Sequence, residues 1–313
     1  MLTITGTSSF TTSQNNADIT LNNTNALTGA VALNTSGSTG HALVDNGTTA
    51  LNMAASTVGG NLTLTSGHAS GIIDSGTVTV GGNLIATTYA NSGVINLGTL
   101  AVDGTIALTT NGNGAATVVN DAPLNFSTSS VGGALTATAT TGNITDSGTL
   151  TITGAAIFKT RVDGSNIVLD SSSNAFSAAV TMIADAGDEA FGNITFVDSA
   201  GIDFATSAGS NGDLYINSST DGTVGGNLSV TATTGNITDT VAFAISGTSS
   251  FTTSATNGTI ALNTPAALSG AVTLNTTGAS GNATIDNGTT ALNIAASTIG
   301  GNLTVTAGDS ITD

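Results

Sequence analysis

The side chains of this 313-residue chain that could do chemistry are few. Nineteen carboxylates stand against two cations, Lys159 and Arg161, two histidines, His41 and His68, and no cysteine. Thiol nucleophiles, thiolate metal sites and disulfides are thereby excluded. The cations lie together in Phe158-Lys159-Thr160-Arg161-Val162-Asp163, where a spacing of two residues on a strand puts both on one face. Asp163, Asp170, Asp185, Asp188 and Glu189 are near them in sequence. Carboxylates beside a cation are what an acid/base site for acidic polysaccharide needs. An exposed ion pair among acidic loops accounts for the same residues, so no catalytic residue is assigned and the chain is not expected to be an enzyme. The run Asp185-Ala186-Gly187-Asp188-Glu189 gathers three carboxylates. Hard cations take several oxygen ligands at close range, so Asp185, Asp188 and Glu189 are the candidate calcium ligands, and no other cofactor is expected. Asp also recurs after short strands, at Asp74, Asp146, Asp239 and Asp313, where hydrogen bonding to nearby backbone is sufficient reason for it.

The composition limits the elements that could position these groups. Hydrophobic residues make up 39% and charged residues 7%, with 41 glycines. That is too apolar for a disordered polar chain and poor in the charged residues that fill helix surfaces. Abundant Thr, Val and Ile suit strands, because β-branched side chains pack well on a pleated surface. A net charge of −17 repels nucleic-acid phosphates and anionic lipid, so nucleic acid is not an expected partner. No run of about twenty apolar residues reads as a transmembrane segment. The N-terminal residues lack the basic and apolar regions of a signal peptide, so an export signal is expected outside this stretch.

Repetition organises the chain. Residues 4–67 realign without gaps onto 245–308, about two thirds identical, as in Gly6-Thr7-Ser8-Ser9-Phe10-Thr11-Thr12-Ser13 against Gly247-Thr248-Ser249-Ser250-Phe251-Thr252-Thr253-Ser254. His41 and His68 fall opposite Asn282 and Asp309, so neither is given a ligand role. A shorter unit runs beneath: Gly59-Gly60-Asn61-Leu62-Thr63-Leu64-Thr65, Gly225-Gly226-Asn227-Leu228-Ser229-Val230-Thr231 and Gly300-Gly301-Asn302-Leu303-Thr304-Val305-Thr306, with weaker copies from Gly81 and Gly132. A second strand ending in Asp follows several of these, as in Asn143-Ile144-Thr145-Asp146 and Asn236-Ile237-Thr238-Asp239. These marks divide the chain into about thirteen units of roughly 20 to 28 residues, each with two or three short strands.

One unit is predicted to be one coil of an all-β parallel β-helix, a β-solenoid of roughly thirteen coils running as a single continuous segment over 1–313. Side chains alternate between the faces of a strand, so Leu62, Leu64, Val78, Val80, Leu135, Leu150, Ile152, Leu228, Val230, Leu303 and Val305 should point inward. Thr63, Thr77, Thr79, Thr136, Thr149, Thr151, Thr304 and Thr306 should face water. A lone coil closes no core, but stacked coils bury a continuous apolar column. Asp45-Asn46-Gly47, Asp74-Ser75-Gly76, Asp146-Ser147-Gly148 and Asp286-Asn287-Gly288 should supply Asx turns with a glycine at positive φ. Tandem immunoglobulin-like domains would need a repeat of about 100 residues, and calcium β-rolls a nonapeptide that is missing. Thr-x-Thr strands could also build the flat threonine face of an ice-binding solenoid, although Gly, Asn and Ala interrupt them.

The motifs Gly300 to Gly308 and Gly225 to Asp239 resemble the strand repeats of large bacterial surface proteins, the filamentous-haemagglutinin-like adhesins and related β-strand-repeat exoproteins. The resemblance covers nearly the whole chain. It implies a right-handed parallel β-helix, export across the outer membrane, an extracellular or cell-surface location and a role as stalk, adhesin or matrix component. The implied partners are surface glycans or proteins of a host or neighbouring cell, extracellular matrix, and further solenoid coils at both ends of what reads as an internal fragment. The alternatives are a polysaccharide-acting β-helix enzyme, a lyase or hydrolase, and a calcium- or ice-binding solenoid.

Overall fold

A computed structural model describes residues 1–184, 192–205, 213–216 and 223–313. Every paired strand is parallel, and no helix occurs among the described residues; none is therefore long and apolar enough to cross a membrane. The chain is a parallel β-solenoid of about thirteen turns, in two compact units: residues 1–142 with 146–154, and residues 143–145 with 155–313.

In the first unit one sheet stacks Ser8–Thr11, Val31–Asn34, Ser56–Val58, Val78–Val80 and Ile95–Val102. A second stacks Ile19–Leu21, Ala42–Asp45, Leu62–Ser66, Leu84–Asn91 and Thr105–Asn111. Successive coils pair like with like: Leu62 sits beside Leu84 and Leu84 beside Ile106, while Val58, Val80 and Val102 align on the other sheet. Leu62, Leu64, Val78, Val80, Leu135, Leu150 and Ile152 are fully buried as alternation requires. Their Thr neighbours are half-buried or exposed.

The second unit repeats this plan with Ile167–Leu169, Ile194–Asp198, Leu228–Ala232, Ser249–Thr256 and Ala271–Thr277 in one sheet. The other holds Ile237–Asp239, Ile260–Leu262, Ala283–Asp286 and Leu303–Thr306. Its core adds several packed aromatic rings to the aliphatic column. Phe176 lies 6.1 Å from Phe158 and 5.2 Å from Phe196, and Phe204 stacks on Phe243 at 4.4 Å with Phe251 edge-on at 5.9 Å. Such pairs are worth about 0.5–1.5 kcal/mol beyond the area they bury.

Three expectations need correction. Coil length reaches 34 residues between Asn193 and Asn227, beyond the 20 to 28 read from the motifs, because an additional strand, Asp213–Ile216, enters there and pairs with both Val180–Ala184 and Ile202–Phe204. Leu303 is 43% exposed and Val305 half-buried, because among the described residues Leu303–Thr306 pairs on one side only, with Ala283–Asp286. Finally, Gly47 and Gly288 do adopt positive φ (56° each), with Asp45 and Asp286 accepting their N–H groups at 2.9 Å, but Gly76 and Gly148 do not. Close approach explains these two: a Cβ on Gly76 would lie 2.7 Å from the Ala55 nitrogen, and one on Gly148 2.4 Å from that of Thr128.

Candidate functional site

Most distinctive polar side chains of this molecule bind the next coil. An Asn just before a strand, after a Gly-Gly pair at Asn61, Asn83 and Asn227, has an Oδ1 that accepts a backbone N–H one coil on: Asn61 from Asn83 (2.9 Å), Asn83 from Thr105 (2.8 Å), and in the second unit the half-buried Asn166 from Asn193, Asn193 from Asn227 and Asn227 from Thr248 (2.7–2.8 Å). The preceding glycine leaves room for that amide, since a Cβ on Gly82 would lie 2.3 Å from Asn61 Oδ1 and one on Gly247 2.4 Å from Asn227 Oδ1. His41 occupies a rung of the same ladder. Its Nδ1 accepts the Asn61 N–H at 2.8 Å, as Asn282 Oδ1 accepts that of Asn302 at 2.8 Å, which explains why His and Asn exchange between the duplicated blocks. His68 is exposed and its Nδ1 caps a turn at Ser70.

The recurrent Asp residues do similar work. Asp74 accepts the Gly98 and Thr99 N–H groups and the Thr99 hydroxyl (2.7–3.0 Å), and Asp239 those of Asn263 and Thr264 (2.9–3.2 Å). These bonds span 24 or 25 residues, so they tie coil to coil in addition to the local Asx turns at Asp45 and Asp286. On the outer face, Thr65, Thr87, Thr109 and Ser130 form one hydroxyl column. The adjacent column, Thr63, Ile85 and Ala107, is not threonine throughout.

A buried Asn clip recurs where a strand ends. Asn46 Oδ1 accepts the Leu27 N–H (2.8 Å), while Nδ2 donates to the Leu27 and Ala50 carbonyls (3.0 and 2.8 Å). Asn287 does the same to Leu268 and Ala291, and Asn120 to Val102 and Pro123. All three are fully buried. At the end of strand Ile194–Asp198 in the second unit a comparable place is taken by Asp198, 1% exposed, whose Oδ1 accepts the Phe176 and Ala200 N–H groups at 3.3 and 3.4 Å. An ionised carboxylate has no donor for a backbone carbonyl. Burial pushes the Asp198 carboxyl above the ordinary carboxylate range, against the pull of the Phe176, Ala200 and Ser199 N–H groups.

Asp198 borders a cavity of about 500 Å³ together with Phe176, Asp203, Asn236 and Thr238. Asp203 accepts the Thr238 and Thr240 hydroxyls at 2.7 and 3.2 Å. Burial also raises the pKa of Asp239, opposed by the N–H groups of Thr264 and Asn263 and reinforced by the negative charge of Asp203. Carboxylate, carboxamide and hydroxyl groups gathered around one cavity can bind sugar hydroxyls. Among the described residues no group of three His, Cys, Asp or Glu is arranged to hold a metal ion.

The residues singled out by sequence fall elsewhere. Asp185, Asp188 and Glu189 lie outside the described residues. Lys159 and Arg161 face outward, half-buried and exposed, and do not line the cavity; Asp163 and Asp170 are exposed. Asp198 and Asp203 carry no repeat signature, while Asn46 and Asn287 read as turn residues when they are core residues.

The family model for repeats of unknown function (DUF5649) matches residues 1–34, 113–183, 191–275 and 280–313, more than half of the chain. The chain belongs to that family. Its DUF5649 segments contain the cavity residues from Phe176 to Thr238 and the clips Asn120 and Asn287. No curated protein and no solved structure matches the chain.

Proposed function

We propose that this DUF5649 chain is a structural and adhesive repeat region of a secreted or cell-surface bacterial protein, a filamentous-haemagglutinin-like stalk. One observation carries the reading: the outward Asn and Asp side chains are spent on backbone amides of the following coil, so the surface residues that repeat are those that hold coils together. A scaffold stabilised between neighbours along its axis carries load coil by coil. Single-molecule pulling tests this. Release in increments of whole coils is the expected trace, and one all-or-none rupture of the second unit would sink the stalk. Beads coated with the chain should be retained by cells or matrix bearing neutral glycans; equal retention after glycan removal would move adhesion to a protein receptor.

The cavity beside Asp198 and Asp203 favours a second reading, action on polysaccharide, with Asp198 as the proton donor. Oligosaccharide release that is lost in both Asp198→Asn and Asp203→Asn would establish it, and no release from a polysaccharide panel would remove it. Calcium remains a proposal resting on Asp185, Asp188 and Glu189. A specific site raises the melting temperature with ligand concentration, so an unchanged Tm in millimolar calcium would discard it.

A further inference from the structure

Among the described residues Tyr89 is the one aromatic side chain that stands exposed, at 46%. It lies on Leu84–Asn91 of the first unit, whose outward positions include Ile85, Thr87 and Tyr89. Thr87 pairs with Thr65 and Thr88 with Ser66, so the residue next in register to Tyr89 is Gly67. A Cβ on Gly67 would fall 2.2–2.6 Å from Tyr89 Cε2, Cζ and Oη. The missing side chain is therefore the seat of the ring, whose far end rests on backbone while about half of the residue stays open to solvent.

The coil does not need a ring at this place. Ser249–Thr256 in the second unit follows the same plan, with eight residues, a register shift near its end and a residue at positive φ just beyond, Asn257 (62°) against Ser92 (61°). Ala90 and Ala255 accept the N–H groups of Gly93 and Gly258 at 3.0 and 2.9 Å. Tyr89 thus corresponds to Ser254 and Ile85 to Ser250. Ala232 pairs with Thr253, so the residue next in register to Ser254 is Thr233. Tyrosine over glycine in one unit answers to serine over threonine in the other, and the same turn closes with either.

Polar groups border the exposed ring. Asp45 pairs with Thr65 and Thr65 with Thr87, all on the outer face. Asp45 Oδ1 accepts the Gly47 N–H at 2.9 Å, whereas the hydroxyls of Thr65, Thr87 and Tyr89 make no hydrogen bond to a described residue. Partial burial, and after it the Asp45 carboxylate, hold the Tyr89 phenol above its ordinary pKa, so it stays uncharged at neutral pH. A pyranose has an apolar C–H face and a rim of hydroxyls. The negative face of an aromatic ring attracts the first, and carboxylate and hydroxyl groups bond the second. A charge of −17 turns away uronates and other acidic glycans.

We propose that Tyr89, seated on Gly67, is a stacking platform for a neutral sugar whose hydroxyls bond to Asp45, Thr65 and Thr87. The site rests on the adhesive reading above and gives its glycan a place on the first unit.

Saturation-transfer NMR of the 313-residue chain with neutral hexasaccharides of glucose, galactose, mannose and N-acetylglucosamine tests this. Transfer to the C–H protons of at least one sugar is expected, and transfer to none overturns the proposal. Tyr89→Phe should bind within about threefold of the wild type and Tyr89→Ser about tenfold more weakly. The melt of Tyr89→Ser should be unchanged, because Ser254 serves the equivalent turn. Gly67→Ala leaves Tyr89 in the chain but lifts its ring, and should weaken the same sugar. Undiminished affinity in either Tyr89→Ser or Gly67→Ala refutes the platform. Equal transfer to a hexameric polyuronate refutes the neutral class, and tetramethylammonium bound through Tyr89 with no sugar bound makes the ring a cation site instead. Failure here is distinct from failure of adhesion. Beads carrying Tyr89→Ser that cells retain as firmly as wild type, and that glycan removal releases, eliminate the Tyr89 site and leave the adhesive stalk standing.

Discussion

The blocks 4–67 and 245–308 differ in about one residue of three, yet equivalent side chains stand in opposite environments. Phe10 is half-buried and Phe251 fully buried; Leu62 is fully buried and Leu303 is 43% exposed. Strand Ser249–Thr256 rests on Leu228–Ala232, whereas among the described residues no strand underlies Ser8–Thr11, and Leu62–Ser66 is covered by Leu84–Asn91 where no described strand covers Leu303–Thr306. Burial in this molecule therefore belongs to pairs of coils, and sequence identity alone does not fix it. The buried Asn clip behaves otherwise. Asn46 and Asn287 make the same bonds within 0.1 Å, because all of their partners lie inside the block.

The sharpest way to break this comparison is to truncate the aromatic pair. Phe251→Ala should cost about 3–5 kcal/mol, as expected for a large side chain removed from a packed core. Phe10→Ala should cost less than half of that, and equal losses in denaturant melts would show that the coil beneath is immaterial. Next in size, Asn46→Ala and Asn287→Ala should each cost about 1–3 kcal/mol by stranding buried backbone groups. The two losses should match, unlike those of the Phe pair.

Asp198→Asn extends the comparison to a third strand end and should stabilise the second unit by about 1 kcal/mol near neutral pH by restoring a donor. The sign with pH follows from the raised carboxyl. Below the unfolded pKa of about 3.9 both states hold the proton and the variant gains least. As pH rises above that value the unfolded chain releases its proton first, so the wild type loses stability until the folded pKa is passed. The gap between variant and wild type in thermal melts should thus widen from acid to neutral pH, and a gap that narrows would mean Asp198 is ionised and well solvated. The smallest effect is expected for His41→Asn, which substitutes the rung used by Asn282 and should move stability by no more than about 0.5 kcal/mol; a larger loss would give the imidazole a role beyond Nδ1.

Alternation made the solenoid legible. Leu62, Leu64, Val78, Val80, Leu150 and Ile152 are inward because a two-residue period admits only one such arrangement, and the Gly-Gly-Asn spacing marks where each coil restarts. Asp198 and Asp203 were not legible, since their cavity forms where the period is broken by the strand Asp213–Ile216 and no repeat predicts what an interruption brings together. The inward turn of Asn46 was hidden for a different reason. An Asx turn and a core clip use the same Asp-Asn-Gly letters, and only the position of Leu27, 19 residues earlier, distinguishes them.

The Asn ladder has a consequence for how such a chain can change in length. Each amide recognises a main-chain N–H, which nearly every residue type supplies, and asks of its neighbour only that a small residue leave space. A genetic copy of several coils, pasted between any two rungs, would find its acceptors and donors waiting. The doubled segment of this protein is the mark such an event leaves.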